Sequence, residues 1–147
     1  MSGNYHSFFE KKSGSGADKQ AALKSFMNWD GQLHPDIKIL HYSRQHNMWT
    51  VFFLEQNDFS KLIGFPGWKG SSQITFDSNQ LIVESIYFPD STNPDYKHYL
   101  APAVQWLKEN KPDKLNEVYK DGRLIQNEES ARMWVELLTS WRKTTAK

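Results

Sequence analysis

The chain has 147 residues, which is enough for one domain with its own hydrophobic core. Its 18 Lys and Arg residues balance 17 Asp and Glu residues, and the net charge of +1 predicts neither nucleic acid nor a charged membrane surface as a partner. The absence of cysteine excludes disulfides and cysteine zinc sites, and no apolar run approaches the roughly 18 residues of a membrane span. The composition does not determine the localisation, although it favours the cytoplasm.

The N-terminal segment predicts one short edge strand and one helix. We expect residues 1–16 to hold an edge strand near 5–10 and then a loop, because a Ser/Gly run precedes the helix. The helix is predicted over Ala17–Trp29 and is expected to end at Gly31. Its apolar side chains share one face at helical spacing: Ala22, Leu23, Phe26 and Met27.

The centre of the chain predicts an antiparallel meander. Ile37–Arg44 alternates apolar and polar residues at its start, and Met48–Glu55 contains many β-branched and aromatic residues. The polar turn at 45–47 between them is typical of a hairpin. Two further strands are predicted at 71–77 and 81–88. A period of two does not say which face of these strands looks inward.

A segment rich in glycine interrupts the predicted strands. Asn57–Gly70 contains three glycines and one proline, which argues against a regular element and predicts a bend or loop. Its apolar side chains must be buried, so we expect the loop to fold over an edge or the mouth of the sheet. Trp68 lies on this predicted loop, and for that reason it is the ring that we expect to line a pocket.

The last third of the chain predicts helices. Tyr96–Asn110 repeats apolar residues at helical spacing, and Pro102 predicts either a helix that begins near Ala101 or a kink. A short helix at Asp113–Tyr119 and a final helix capped by Asn127 follow. The final helix is expected to bury one apolar face, most simply against the sheet: Ala131, Trp134, Val135, Leu138 and Trp141.

One part of the chain resembles a known family. The glycine-rich segment is followed by a strand, an acidic turn and an apolar-apolar-glutamate strand, an order similar to that of the SnoaL-like branch of the nuclear transport factor 2-like superfamily. The resemblance covers roughly residues 5–90. It rests on Phe59, Gly64, Phe65, Pro66, Gly67, Lys69, Phe76, Asp77 and Ile82–Glu84.

The resemblance implies an α+β fold in which a strongly curved antiparallel sheet wraps around helices, the cystatin-like barrel roll, and encloses an apolar conical pocket. The chain is then a single SnoaL-like domain, 1–147, with a C-terminal helical extension at 91–147. Members of the family usually carry further N-terminal helices, whereas a short polar segment precedes Ala17 here. Either the chain is shortened at its N-terminus or the C-terminal helices replace the missing ones.

The resemblance also implies candidate site residues. Enzymes of the superfamily use Asp, His or Tyr in an apolar cavity, where burial raises the pKa of a carboxyl group. Asp58 and Tyr87 are the predicted catalytic residues, with turn capping and ordinary strand packing as their structural alternatives. The predicted pocket residues are Trp68, His41, Phe53, Ser85 and Glu84.

The sequence leaves three functions open. Aromatic side chains without a convincing acid–base pair favour a protein that binds a small apolar molecule. The second hypothesis is a cofactor-free isomerase, cyclase or dehydratase that uses Asp58 or Tyr87. The third is a homodimeric interaction module that associates through its open sheet face, as many relatives do. We predict no cofactor and no metal, because the five His residues are scattered and no Gly-rich phosphate loop is present.

Overall fold

The computed structural model describes residues 4–6 and 16–145, and it describes the side chains of the first helix from residue 21 onward. The chain is α+β, as predicted, and divides into two compact units. The first unit contains Asp36–Glu55 and Trp68–Asn93 together with the first strand. The second unit contains Ala21–Pro35, Gln56–Gly67 and Pro94–Lys147.

The first unit is a sheet of five strands: β1 (Asn4–His6), β2 (Asp36–Gln45), β3 (Met48–Gln56), β4 (Trp68–Phe76) and β5 (Ile82–Pro89). The spatial order is β1-β5-β4-β3-β2, so the four strands from β2 to β5 form the predicted meander. Strand β1 adds to β5 in parallel. The part of the predicted edge strand at 7–10 lies outside the described residues.

Side chains in the turns fix the ends of these strands. Asn47 directly precedes β3, and its Nδ2 donates to the Phe76 carbonyl at 2.8 Å while Phe76 N donates back to the Asn47 carbonyl at 2.9 Å. At the other turn, the Asp77 carboxylate accepts from the backbone N–H groups of Asn79 and Leu81. Asn and Asp favour such turns because their short side chains bond nearby backbone.

The second unit is mainly helical. Its helices are α1 (Gly16–Gln32, most of which lies in this unit), α2 (Asp58–Ile63), α3 (Tyr96–Asn110), α4 (Pro112–Val118) and α5 (Glu128–Thr145), with a two-stranded hairpin of β6 (Tyr119–Lys120) and β7 (Arg123–Leu124) before α5. No helix in the described part of the chain is both long enough and apolar enough to cross a bilayer.

The loop prediction for the glycine-rich segment is wrong in two places. Asp58–Ile63 is a helix, and Trp68 is the first residue of β4 rather than part of a loop. The helix forms because Asn57 Oδ1 accepts from Ser60 N at 2.9 Å while Ser60 Oγ accepts from Asn57 N at 2.8 Å, a reciprocal capping box. Gly64 ends it at φ 75°, in the left-handed region that glycine tolerates.

The predicted end of the first helix is also wrong, since α1 runs through Gly31 to Gln32. A Cβ at Gly31 would meet no atom within 4 Å, so this glycine occupies an open helical position rather than a terminus. Leu33 N donates to the Asp30 carbonyl, His34 turns the backbone at φ 49°, and Pro35 then excludes a return to helix.

The fully buried apolar side chains among the described residues all belong to the second unit. Trp134 is at the centre of this core: it is completely buried, and its ring meets Phe59 and Tyr119 edge-on at centroid distances of 5.6 and 6.2 Å. We expected α5 to bury against the sheet, but its apolar face packs on α2, α3 and α4. The apolar face of this amphipathic helix is therefore covered by helices of its own unit.

Candidate functional site

The strand register shows which side chains share a face of the sheet. Directly opposed residues of antiparallel strands point to the same side, and side chains alternate along each strand. Phe53 opposes Gly70, Ser72 opposes Tyr87, and Ile74 opposes Ser85. Trp68 precedes Gly70 by one full period on β4 and therefore joins them. We call this side, which carries Phe53, Trp68, Ser85 and Tyr87, the Tyr87 face.

Gly70 is the centre of the Tyr87 face. The Tyr87 ring lies across it so closely that a Cβ on Gly70 would be 2.5 Å from Tyr87 Cε2 and 2.9 Å from the hydroxyl oxygen. The Phe53 ring lies beside the Tyr87 ring, with centroids 6.0 Å apart and an interplanar angle of 31°. The missing side chain of glycine therefore leaves the space in which two aromatic rings meet.

The Tyr87 hydroxyl is held in its neutral form. Partial burial raises its pKa, and the carboxylates of Glu55 and Asp90 raise it further, because both disfavour a nearby phenolate. Glu55 opposes Trp68 on the same face of the sheet. At neutral pH the hydroxyl is therefore a hydrogen-bond donor rather than a base.

The other two predicted pocket residues lie on the opposite side, which we call the Phe52 face. Glu84 opposes Thr75 there, and the His41 ring contacts the ring of Phe52 at a centroid distance of 5.9 Å. His41 and Phe52 are exposed, whereas Phe53 and Tyr87 on the Tyr87 face are half-buried. The register thus separates His41 and Glu84 from Trp68, Phe53, Ser85 and Tyr87.

Asp58 belongs to the second unit, where it pairs with a residue that the sequence did not single out. His34 Nδ1 lies 2.7 Å from Asp58 Oδ2, and Asp58 N donates to the Leu33 carbonyl at 2.8 Å. The His34 side chain is 79% exposed, so its Nε2 is accessible to solvent. An Asp that binds Nδ1 of a His orients the ring.

Two residues of these arrangements were missed at the sequence level. Gly70 contributes only to the loop prediction in the sequence, although a glycine inside an alternating strand indicates close approach of another group. His34 precedes Pro35, and its positive φ of 49° is uncommon outside glycine. A lone histidine before a proline gives no signal for a partner that lies 24 residues further along the chain.

A separate open groove of about 430 Å³ lies in the second unit between α1 and the start of α5. It contains none of the predicted site residues. Its lining is mixed in charge, with Lys24, Ser25 and Asn28 on α1 and Glu128 and Glu129 on α5. The side chains of the described residues form no group of three or more His, Cys, Asp or Glu that could hold a metal ion.

No family model, curated protein or solved structure matches this chain. The resemblance to the SnoaL-like branch stays a prediction, and so does the single-domain organisation that it implies.

Proposed function

We propose that the chain binds a small apolar molecule with an aromatic ring and a hydrogen-bond acceptor, and that it does so on the Tyr87 face. The observation that supports this most directly is the packing of Tyr87 and Phe53 around Gly70. Aromatic rings give a large apolar contact area, and a neutral phenol adds a single directional donor. The curved roll and conical pocket of the SnoaL-like branch belong to the same proposal.

The chemistry of the face selects the ligand class. A flat ring stacks or packs edge-on against Phe53 and Trp68, and a carbonyl oxygen on that ring accepts from the Tyr87 hydroxyl. Glu55 and Asp90 place negative charge near this hydroxyl. An anionic ligand would therefore be repelled, and a neutral ketone would be preferred over a carboxylate of the same shape.

Calorimetric titration with 2-acetylnaphthalene and naphthalene tests this proposal. We expect the ketone to bind about fivefold more tightly than the hydrocarbon, because one hydrogen bond contributes about that factor in affinity. The Tyr87→Phe variant should abolish the difference between the two ligands. Phe53→Ala should weaken both ligands. The matched control is Phe52→Ala, its neighbour on the other side of the sheet, which should leave both affinities unchanged. Absence of binding, or equal losses for Phe52→Ala and Phe53→Ala, would contradict the proposal.

Proton transfer is a second candidate, and the His34–Asp58 contact of 2.7 Å favours it. Under this hypothesis His34 is the general base and Asp58 orients its ring. The roles differ from those in the isomerase, cyclase or dehydratase hypothesis, where Asp58 or Tyr87 is itself the base. Hydrolysis of 4-nitrophenyl acetate offers a test that needs no known substrate. His34→Gln should lower the rate, and His98→Gln should not, since His98 is equally accessible but 4.0 Å from its Asp95. Equal rates for both variants would exclude the pair.

A further inference from the structure

Strand β2 forms one edge of the sheet and is exposed along its whole length. Four large apolar side chains on it each expose more than half of their surface: Ile37, Ile39, Leu40 and Tyr42. Ile37 and Ile39 lie on one side of the strand and Leu40 and Tyr42 on the other, so neither side of β2 is covered. The unpaired backbone of an edge strand is a template for pairing with another strand. Proteins therefore usually avoid apolar side chains on both sides of an exposed edge strand.

The outer edge of β2 has backbone groups that are available for hydrogen bonds to another strand. Within the described sheet its only neighbour is β3, so the N–H and C=O groups on its outer edge have no strand beside them. A strand added there would gain main-chain hydrogen bonds and cover apolar side chains at the same time. The charged residues Asp36, Lys38 and Arg44 then decide which strand fits and in what register.

The sequence of β2 is complementary to itself. A second copy related by a two-fold axis through Leu40 runs antiparallel and keeps the two faces of the sheet aligned. Asp36 then opposes Arg44 of the second copy, and the same pair forms again across the axis. Lys38 opposes Tyr42, and Leu40 meets Leu40. A shift that brought Lys38 opposite Arg44 would place two positive charges together.

Arg44 keeps most of its hydrogen-bond donors while it contacts its own chain. Its Nε donates to the His46 carbonyl at 2.8 Å, and its guanidinium carbon lies 5.5 Å from the centroid of the Trp49 ring. These contacts use one of five N–H donors. The terminal nitrogens of the guanidinium group can therefore bind the carboxylate of Asp36 from a second copy.

We propose that two copies of this chain associate through β2, antiparallel and centred on Leu40, to form one continuous sheet. This interface lies along the outer edge of β2, so it uses none of the four residues that define the Tyr87 face, and it differs from an association through the open face of the sheet. A different protein that adds a strand to the same edge is the alternative occupant. Such a partner would not need the pairing of Asp36 with Arg44.

Sedimentation equilibrium of the full chain tests the proposal through charge exchange. We expect the wild type to sediment as a dimer. Asp36→Arg and Arg44→Asp should each weaken the dimer about tenfold or more, because each places like charges opposite one another. The double variant D36R/R44D should dimerise again, and so should an equimolar mixture of the two single variants, because both restore opposite charges across the axis.

Two controls separate this interface from general surface effects. Leu40→Asp should abolish the dimer, while Leu81→Asp, at an exposed leucine outside β2, should leave it intact. Circular dichroism checks that each variant is folded. A monomeric wild type would overturn the proposal. A dimer that survives the single charge reversals, or one that the double variant does not restore, would assign the association to another surface or partner.

Discussion

The ring of Tyr87 lies across Gly70, and its hydroxyl oxygen would be 2.9 Å from a Cβ placed on that glycine. The contact depends on the register between β4 and β5, in which Tyr87 opposes Ser72 and therefore reaches diagonally over the neighbouring position. Any side chain at position 70 must displace this ring. The geometry of the Tyr87 face thus rests on one residue without a side chain.

Gly70→Ala is expected to destabilise the protein by about 1–3 kcal/mol, because the added methyl group overpacks the site. The cost should be smaller in a Tyr87→Ala background, where the remaining close contact is the Phe88 carbonyl at 3.0 Å. Urea denaturation of the four proteins in this cycle measures the coupling. Equal costs in both backgrounds would mean that the Tyr87 ring does not depend on Gly70.

Glu55→Gln is expected to lower the pKa of Tyr87 toward the ordinary value of about 10, since the Glu55 carboxylate disfavours the phenolate. The phenolate absorbance that is lost in Tyr87→Phe isolates this residue from the other tyrosines. Glu84→Gln, on the Phe52 face, is the matched control and should leave the titration unchanged. A shift of the same size in both variants would point to net charge rather than to the position of Glu55.

The raised pKa of Tyr87 also has a consequence for stability. The folded protein binds this proton more tightly than the unfolded chain does. The associated stability is complete below pH about 10 and is lost as the pH rises through the folded pKa. Tyr87→Phe, which does not titrate, should lose less stability over that alkaline range than the wild type.

Asn57→Ala is expected to cost more than Asn127→Ala, although both residues cap a helix through the same Asn-x-x-Ser pattern. An N-cap is ordinarily worth about 1 kcal/mol, which is our expectation for the exposed Asn127. Asn57 is buried, so its loss leaves Ser60 N without an acceptor and without water, and about 1–3 kcal/mol more is expected. Equal losses in thermal or urea unfolding would show that water replaces the buried cap.

The Asn57 cap begins a helix in a segment whose composition predicts a loop. Three glycines and a proline predict a loop at 57–70, but the Asn57–Ser60 capping box begins a helix there, and the segment ends in the first residues of a strand. Where periodicity is strong, the prediction was right. Helix α3 spans the predicted segment Tyr96–Asn110 and begins before Pro102 rather than near Ala101. The residues that predicted it are all buried: Leu100, Ala103, Val104 and Leu107. Pro102 is exposed within it and does not end it.

From the sequence, site residues could be assigned to a common face only when they lie on the same strand. Alternation shows that Ser85 and Tyr87 share a face and that Glu84 does not, but it cannot relate one strand to the next. That relation comes from hydrogen-bond register, which pairs Phe53 with Gly70 and Ser72 with Tyr87. The contact of Asp58 with His34 depends on tertiary packing, and no local pattern encodes it.

Asp30→Asn is expected to stabilise the protein at neutral pH. Burial raises the pKa of the Asp30 carboxyl group, so the fold disfavours its charged form. The stability that this group contributes is complete below its ordinary pKa and falls as the pH rises through the folded value. Urea denaturation should therefore show a more stable variant at neutral pH and a difference that disappears at pH about 3. A constant difference at both pH values would exclude titration as the cause.

Arg142, in the last turn of α5, contacts a distant part of the chain. Its Nε donates to the carbonyl of Leu62 at 2.6 Å, two residues before the glycine that ends α2. A carboxypeptidase that trimmed the chain past this arginine would therefore remove more than a surface charge. It would leave the C-terminal carbonyls of a short helix without their cation, and digestion should slow at this residue for as long as the second unit stays folded.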